Sequence, residues 1–112
     1  MAKADRLERL DARRVELEGE YREALIAALR QTAAGQWGLF AHQKDRHQAA
    51  AIKPVLAALD ELAEEIDTIR ERFGMERFAL HPEFRAARGP VGPTAVGEPK
   101  QAAQWLARLG AD

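Results

Sequence analysis

The sequence predicts an all-α protein: a long antiparallel helical hairpin with short C-terminal helices, pairing into a dimeric four-helix-type bundle. Three observations carry that expectation. From about Ala4 to Ala34 there is no proline and one glycine, Gly19, and apolar residues recur at helical spacing. Ile52, Val55, Leu59, Leu62, Ile66, Ile69 and Phe73 step alternately by three and four, a seven-residue repeat of coiled-coil type. Two such stripes leave apolar flanks that a hairpin alone cannot cover, so either the C-terminal segments fold back over it or two hairpins pair.

In the first helix Leu7, Leu10, Leu17, Tyr21, Ala24 and Ala28 form the seam, and Arg14 fills one slot in place of an apolar residue. Leu25, Leu29 and Thr32 widen it to the breadth of a helix packed in a bundle. Asp5 suits the positive helix end. Glu16 with Arg13, and Glu18 with Arg14 and Arg22, fall at helical neighbour spacings. The helix is about 45 Å long at 1.5 Å per residue, and Gly35 is its natural stop. Arg14 has two readings. Its stem lies on the surface with the head in water, or it is a polar residue that fixes register or oligomeric state.

The corner after it, "TAAGQWGLFAHQKDRHQAA" from Thr32 to Ala50, places Trp37, Leu39 and Phe40 beside Gly35 and Gly38. One reading is a hydrophobic plug closing the hairpin. Another is an aromatic knob that anchors a partner, and a third is a ligand pocket. His42 and His47 stand five apart, not the four that puts two histidines on one helix face, so no metal site is expected. Lys44, Arg46 and Lys53 before or near a helix start make a weak anion site, against the alternative of a solvated turn. No glycine-rich phosphate loop accompanies them.

Pro54 fits near the start of the second helix, which begins there or bends in from a turn at Asp45. Gly74 takes the position just past its end, and Arg70 and Arg72 suit the negative helix end. Leu59, Leu62, Ile66 and Ile69 are expected to carry dimerisation. The run "DELAEEID" is the most chemical feature of the chain. Glu61 and Glu64, with Glu20 and Glu23 on the first helix, could serve a magnesium-dependent nucleotide hydrolase. The register argues otherwise, because it turns Asp60, Glu61, Glu64 and Asp67 toward water while the seam faces inward.

"LHPEFRAARG" reads as one or two helical turns begun at Pro82 and stopped by Gly89. The domain division is therefore 1–88 for the hairpin plus a short third helix, 89–99 for a Pro/Gly-rich arm, and 100–112 for a short C-terminal helix. That last helix has Pro99 at its first position and Gly110 past its end, with Ala102, Trp105, Leu106 and Leu109 on one face. The arm and this helix pack in cis or swap onto a second subunit.

Composition removes several chemistries. The chain has no cysteine, which excludes disulfides, thiolate metal sites and cysteine nucleophiles. It has no serine, so a Ser-His-Asp triad is impossible. The net charge of -1 gives no global attraction for nucleic acid or an anionic membrane. Arg77, Arg85 and Arg88 near His81 and Phe84 form only a modest basic patch, without a helix-turn-helix pattern. The charged start has no apolar signal-peptide core, and no stretch reaches the roughly 20 apolar residues of a membrane span. The expected compartment is the cytoplasm.

The functional expectation is a non-catalytic interaction module, an adaptor or regulator that works through helix packing as a homodimer, with no cofactor and no metal. Trp37, Leu39 and Phe40 at the corner and Trp105 and Leu106 on the last helix are the expected partner-binding residues. The alternatives are the magnesium-dependent hydrolase and a weak nucleic-acid-binding regulator using Lys44, Arg46, Lys53, Arg85 and Arg88.

Overall fold

The computed structural model describes residues 3–35, 39–40, 46–88 and 98–111, with the backbone alone for 46–51 and 98. Among them are four helices, α1 (Lys3–Ala33), α2 (Arg46–Arg72), α3 (Leu80–Ala87) and α4 (Glu98–Arg108), and no strand. α1 packs against both α2 and α4, and α3 approaches α2. The whole measures 56 × 27 × 22 Å. None of these helices is long and apolar enough to cross a membrane.

The two apolar stripes meet inside one chain. Leu17, Tyr21, Leu25, Ala28 and Leu29 of α1 are buried against Ile52, Leu59, Ala63, Ile66 and Ile69 of α2, with Ala102 and Leu106 of α4. Thr32 is buried too, and its hydroxyl donates to the Ala28 carbonyl one turn back, 3.0 Å away, so no polar group is stranded there. Three of the four residues expected to hold two copies together, Leu59, Ile66 and Ile69, are thus buried in the chain's own core. Leu62 is half-buried. Coverage stops short of the start of α1, where every side chain from Lys3 to Arg9 is exposed.

Helix ends follow local chemistry. At the end of α2, Met75 N–H donates to Arg70 O (2.9 Å) and Gly74 N–H to Glu71 O (3.1 Å). α4 repeats the pattern, with Ala111 to Leu106 and Gly110 to Ala107. This double closure needs a left-handed residue, and Gly74 and Gly110 supply it at φ 66° and 72°. α2 starts at Arg46 and runs straight through Pro54, the ninth of its 27 residues. The proline is therefore interior, not a start signal, and deprives the turn before it of one backbone bond. α3 begins two residues before Pro82, which sits in the first turn where no N–H is needed. The segment 89–97, most of the expected arm, lies outside the described residues.

Candidate functional site

A chain of polar groups crosses the middle of the molecule. Tyr21 projects from α1 and is fully buried. Its hydroxyl lies 2.7 Å from His81 Nδ1 at the start of α3. His81 Nε2 lies 2.8 Å from Asp60 Oδ1 on α2. A carboxylate only accepts, so Nε2 carries the ring hydrogen and donates to Asp60. In the neutral ring Nδ1 is then the acceptor, and Tyr21 donates to it. Arg85, one turn beyond His81, adds its charge 3.7 Å from the same Asp60 oxygen. The rings of Phe78 and His81 stand edge-on to Tyr21, with centroids 5.0 and 5.4 Å away.

The order carboxylate–imidazole–hydroxyl is that of a nucleophilic triad, but the surroundings reverse its meaning. Burial pushes the Tyr21 phenol well above its ordinary value, Asp60 pushes the same way, and Arg85 opposes them only in part. The hydroxyl is held as a neutral donor and has no exposed surface. Both imidazole nitrogens are occupied by protein groups. With its hydroxyl end buried, the relay ties α1, α2 and α3 together. Asp67 works alongside it by accepting from the Phe78 N–H at 2.8 Å. Two carboxylates that the register turned toward water are therefore tied in, Asp60 to α3 and Asp67 to the segment before it.

A second network lies nearer the open end of α1. Arg14 donates to Asp11 and Glu18, both at 2.9 Å. Arg70 of α2 reaches the same Glu18 with two nitrogens, at 2.9 and 3.1 Å. Its third nitrogen donates to the Glu76 carbonyl, and its head lies 5.4 Å over the Phe78 ring. Burial alone would raise the Glu18 carboxyl, but hydrogen bonds from Arg70 and Arg14 outweigh it and leave Glu18 below its usual value. The bonds to Asp11 and Glu18 hold the Arg14 guanidinium above its own. Arg14 is thus a half-buried member of an interhelical ion network.

Of the expected partner-binding residues, Leu39, Phe40, Trp105 and Leu106 share one core. Leu39 and Phe40 are fully buried, which is the plug reading of the corner; Trp37 lies outside the described residues. Phe40, Phe84 of α3 and Trp105 of α4 form a triangle with centroids 6.1–6.3 Å apart. Leu106 is buried behind it, and Trp105 is half-buried under the Arg108 guanidinium. Arg88 closes the corner by donating to the Leu39 carbonyl at 2.7 Å. Arg108 bridges to Glu83, and Arg22 and Arg30 of α1 reach the carbonyls of Leu109 and Ala111 past the end of α4.

The other candidates stay apart. Lys44 and the side chain of Arg46 lie outside the described residues, as do His42 and the His47 ring, and Lys53 is exposed. Glu20, Glu23, Glu61 and Glu64 are exposed, and among the described residues no three His, Asp or Glu side chains are grouped so as to hold a metal ion. A cleft of about 700 Å³ does run beside the relay, lined by Asp60, Glu64, Asp67, Glu71, Arg77 and His81 among others. Sequence reasoning missed the relay because Tyr21 reads as seam, Asp60 as solvated and His81 as solitary. The one available signal was an ionisable residue, His81, beside Phe78 and Phe84 where the sequence reads as one or two helical turns. No known protein family, curated protein or solved structure matches the chain.

Proposed function

We propose that this chain is a non-catalytic cytoplasmic interaction module, an adaptor or regulator, built as an antiparallel α1–α2 hairpin that pairs with a second copy of itself. The pairing of Glu18, in the middle of α1, with Arg70, at the end of α2, supports the antiparallel arrangement. One observation carries the functional reading: the apolar stripe of α1 continues past the point where the chain covers it. Leu10 is half-buried, Leu7 is 38% exposed, and Val15 and Met75 add exposed apolar surface near the same end, at 57% and 38%. The polar groups that resemble a catalytic set are meanwhile spent on one another. A helix-packing surface is left, without an armed nucleophile.

The self-pairing surface is then the start of α1, not the α2 seam. It spans few turns, so the dimer is a weak one, below the roughly 1,000 Å² of a stable interface. Light scattering over a wide concentration range tests this. A mass that climbs with concentration in the wild type, and stays monomeric in Leu7→Glu, is the expected result. A monomer at every concentration removes the homodimer. Magnesium-dependent nucleotide turnover that is lost on Glu61→Gln removes the non-catalytic reading.

A further inference from the structure

α3 is the shortest of the described helices and has the sparsest backbone contact with the rest of the molecule. Among the described residues its backbone approaches α2 alone, and α1 and α4 reach it only through side chains. It has eight residues, and Ala79 before it provides no side-chain cap. One ridge, Leu80, Phe84 and Ala87, faces inward, and only Phe84 is fully buried. The surrounding ties are polar: His81 and Arg85 to Asp60, and Glu83 to Arg108. Asp60 keeps 47% of its side chain exposed, and ties so open to water are individually weak. Gly74, in the left-handed region with open space where a Cβ would be, turns the chain between α2 and this segment.

We propose that α3 is a displaceable in-chain ligand. It fills a helix-binding groove walled by Tyr21, Asp60, Phe40 and Trp105, and a basic amphipathic helix of a partner protein takes its place. This rests on the reading of the chain as a helix-packing module. The occupant already present defines the chemistry of its replacement. An aromatic side chain fills the Phe84 position beside Phe40 and Trp105, and a hydrogen-bond donor followed one turn later by a cation answers Asp60, as His81 and Arg85 do. The cleft beside it is acidic on balance, with Asp60, Glu64, Asp67 and Glu71 against Arg77, which favours a basic newcomer over an acidic one. Burial of Tyr21 and Phe40 under α3 keeps the groove closed until the partner arrives.

Native-state amide exchange on the full chain tests the first half. The α3 amides are expected to exchange through local opening, at least about tenfold faster than those of Leu25 and Leu29, and faster again in Asp60→Ala. Equal protection of α3 and the α1 core overturns the proposal. The second half uses a labelled peptide of residues 78–88. It should bind the full-length Phe84→Ala chain saturably and the wild type at least about tenfold more weakly, while a peptide carrying Phe84→Ala binds neither. A helical Phe84→Ala chain that ignores the peptide also overturns it; if that variant does not fold, the wild-type exchange result decides. Neither measurement depends on self-association, so a chain that stays monomeric leaves this test intact.

Discussion

The hydroxyl of Tyr21 donates to an imidazole that donates in turn to Asp60, and each link orients the next. Removing the first link by Tyr21→Phe leaves His81 Nδ1 without its donor and should lower stability by about 1 kcal/mol at neutral pH. The alkaline side is more diagnostic. The folded chain holds the phenol proton more tightly than the unfolded chain, so this stabilisation is complete below about pH 10 and fades as pH rises toward the higher folded value. Tyr21 is the one tyrosine in the sequence, so phenolate absorbance reports it alone. That signal should appear only together with loss of helicity; a phenolate titrating near pH 10 in a still-folded chain contradicts the buried relay. Glu18 has the opposite sign. Its folded carboxyl lies below the ordinary value, so its contribution is present above the usual carboxylate range and is lost as pH falls through it. Glu18→Gln should cost about 1–2 kcal/mol at pH 7, by leaving Arg70 and Arg14 short of a charged acceptor. Denaturant titrations of wild type and variant should converge in acid, and a gap that persists at low pH speaks against the pairing.

At the scale of elements, what the sequence reveals is whatever is local. The seven-residue repeat of α2 and the glycines past α2 and α4 were legible because a helix face and its closing turn depend on residues within a few positions. The start of α2 was legible only as one of two alternatives, since Pro54 is a strong local signal for a first turn, whereas the helix runs back to Arg46, next to the other expected start at Asp45. Packing of Ile52 into the core helps hold that extension. Pro54→Ala restores a donor for the carbonyl four residues earlier at an exposed position. A helix-interior proline is about 3 kcal/mol worse than alanine, and the stiffer unfolded chain of the proline protein returns up to about 1. A net gain of roughly 1–2 kcal/mol in thermal or urea unfolding is therefore expected. A loss would mean that the turns before Pro54 do not belong to the helix. The candidate site was illegible for a related reason. Tyr21 and His81 are 60 positions apart, and only the docking of α3 on α2, within reach of the α1 side chains, brings them together. The triangle of Phe40, Phe84 and Trp105 likewise joins three segments that share no period.

For the whole molecule, the decisive feature is a mismatch of lengths. α1 has 31 residues and α2 has 27, and Arg70, near the end of α2, pairs with Glu18 in the middle of α1. About a quarter of α1, Lys3 to Arg9, runs on without cover. Isolated helices shorter than about 12–15 residues are marginal in water, so these turns stay helical by continuity with the packed part and by local pairs such as Arg13 with Glu16 and Arg14 with Asp11. In a lone chain they should fray, and their amides should exchange fast. In a pair, Leu7 and Leu10 lose water and the same amides become protected. Exchange at Leu7 to Arg13 should therefore slow as protein concentration rises, while exchange at Leu25 and Leu29 does not change. Leu7→Glu should abolish the concentration dependence without lowering the melting temperature measured on dilute protein, because Leu7 is an exposed residue outside the core cluster and its partly buried surround. Protection of Leu7 to Arg13 that is independent of concentration would show that the open end of α1 has no second copy to meet.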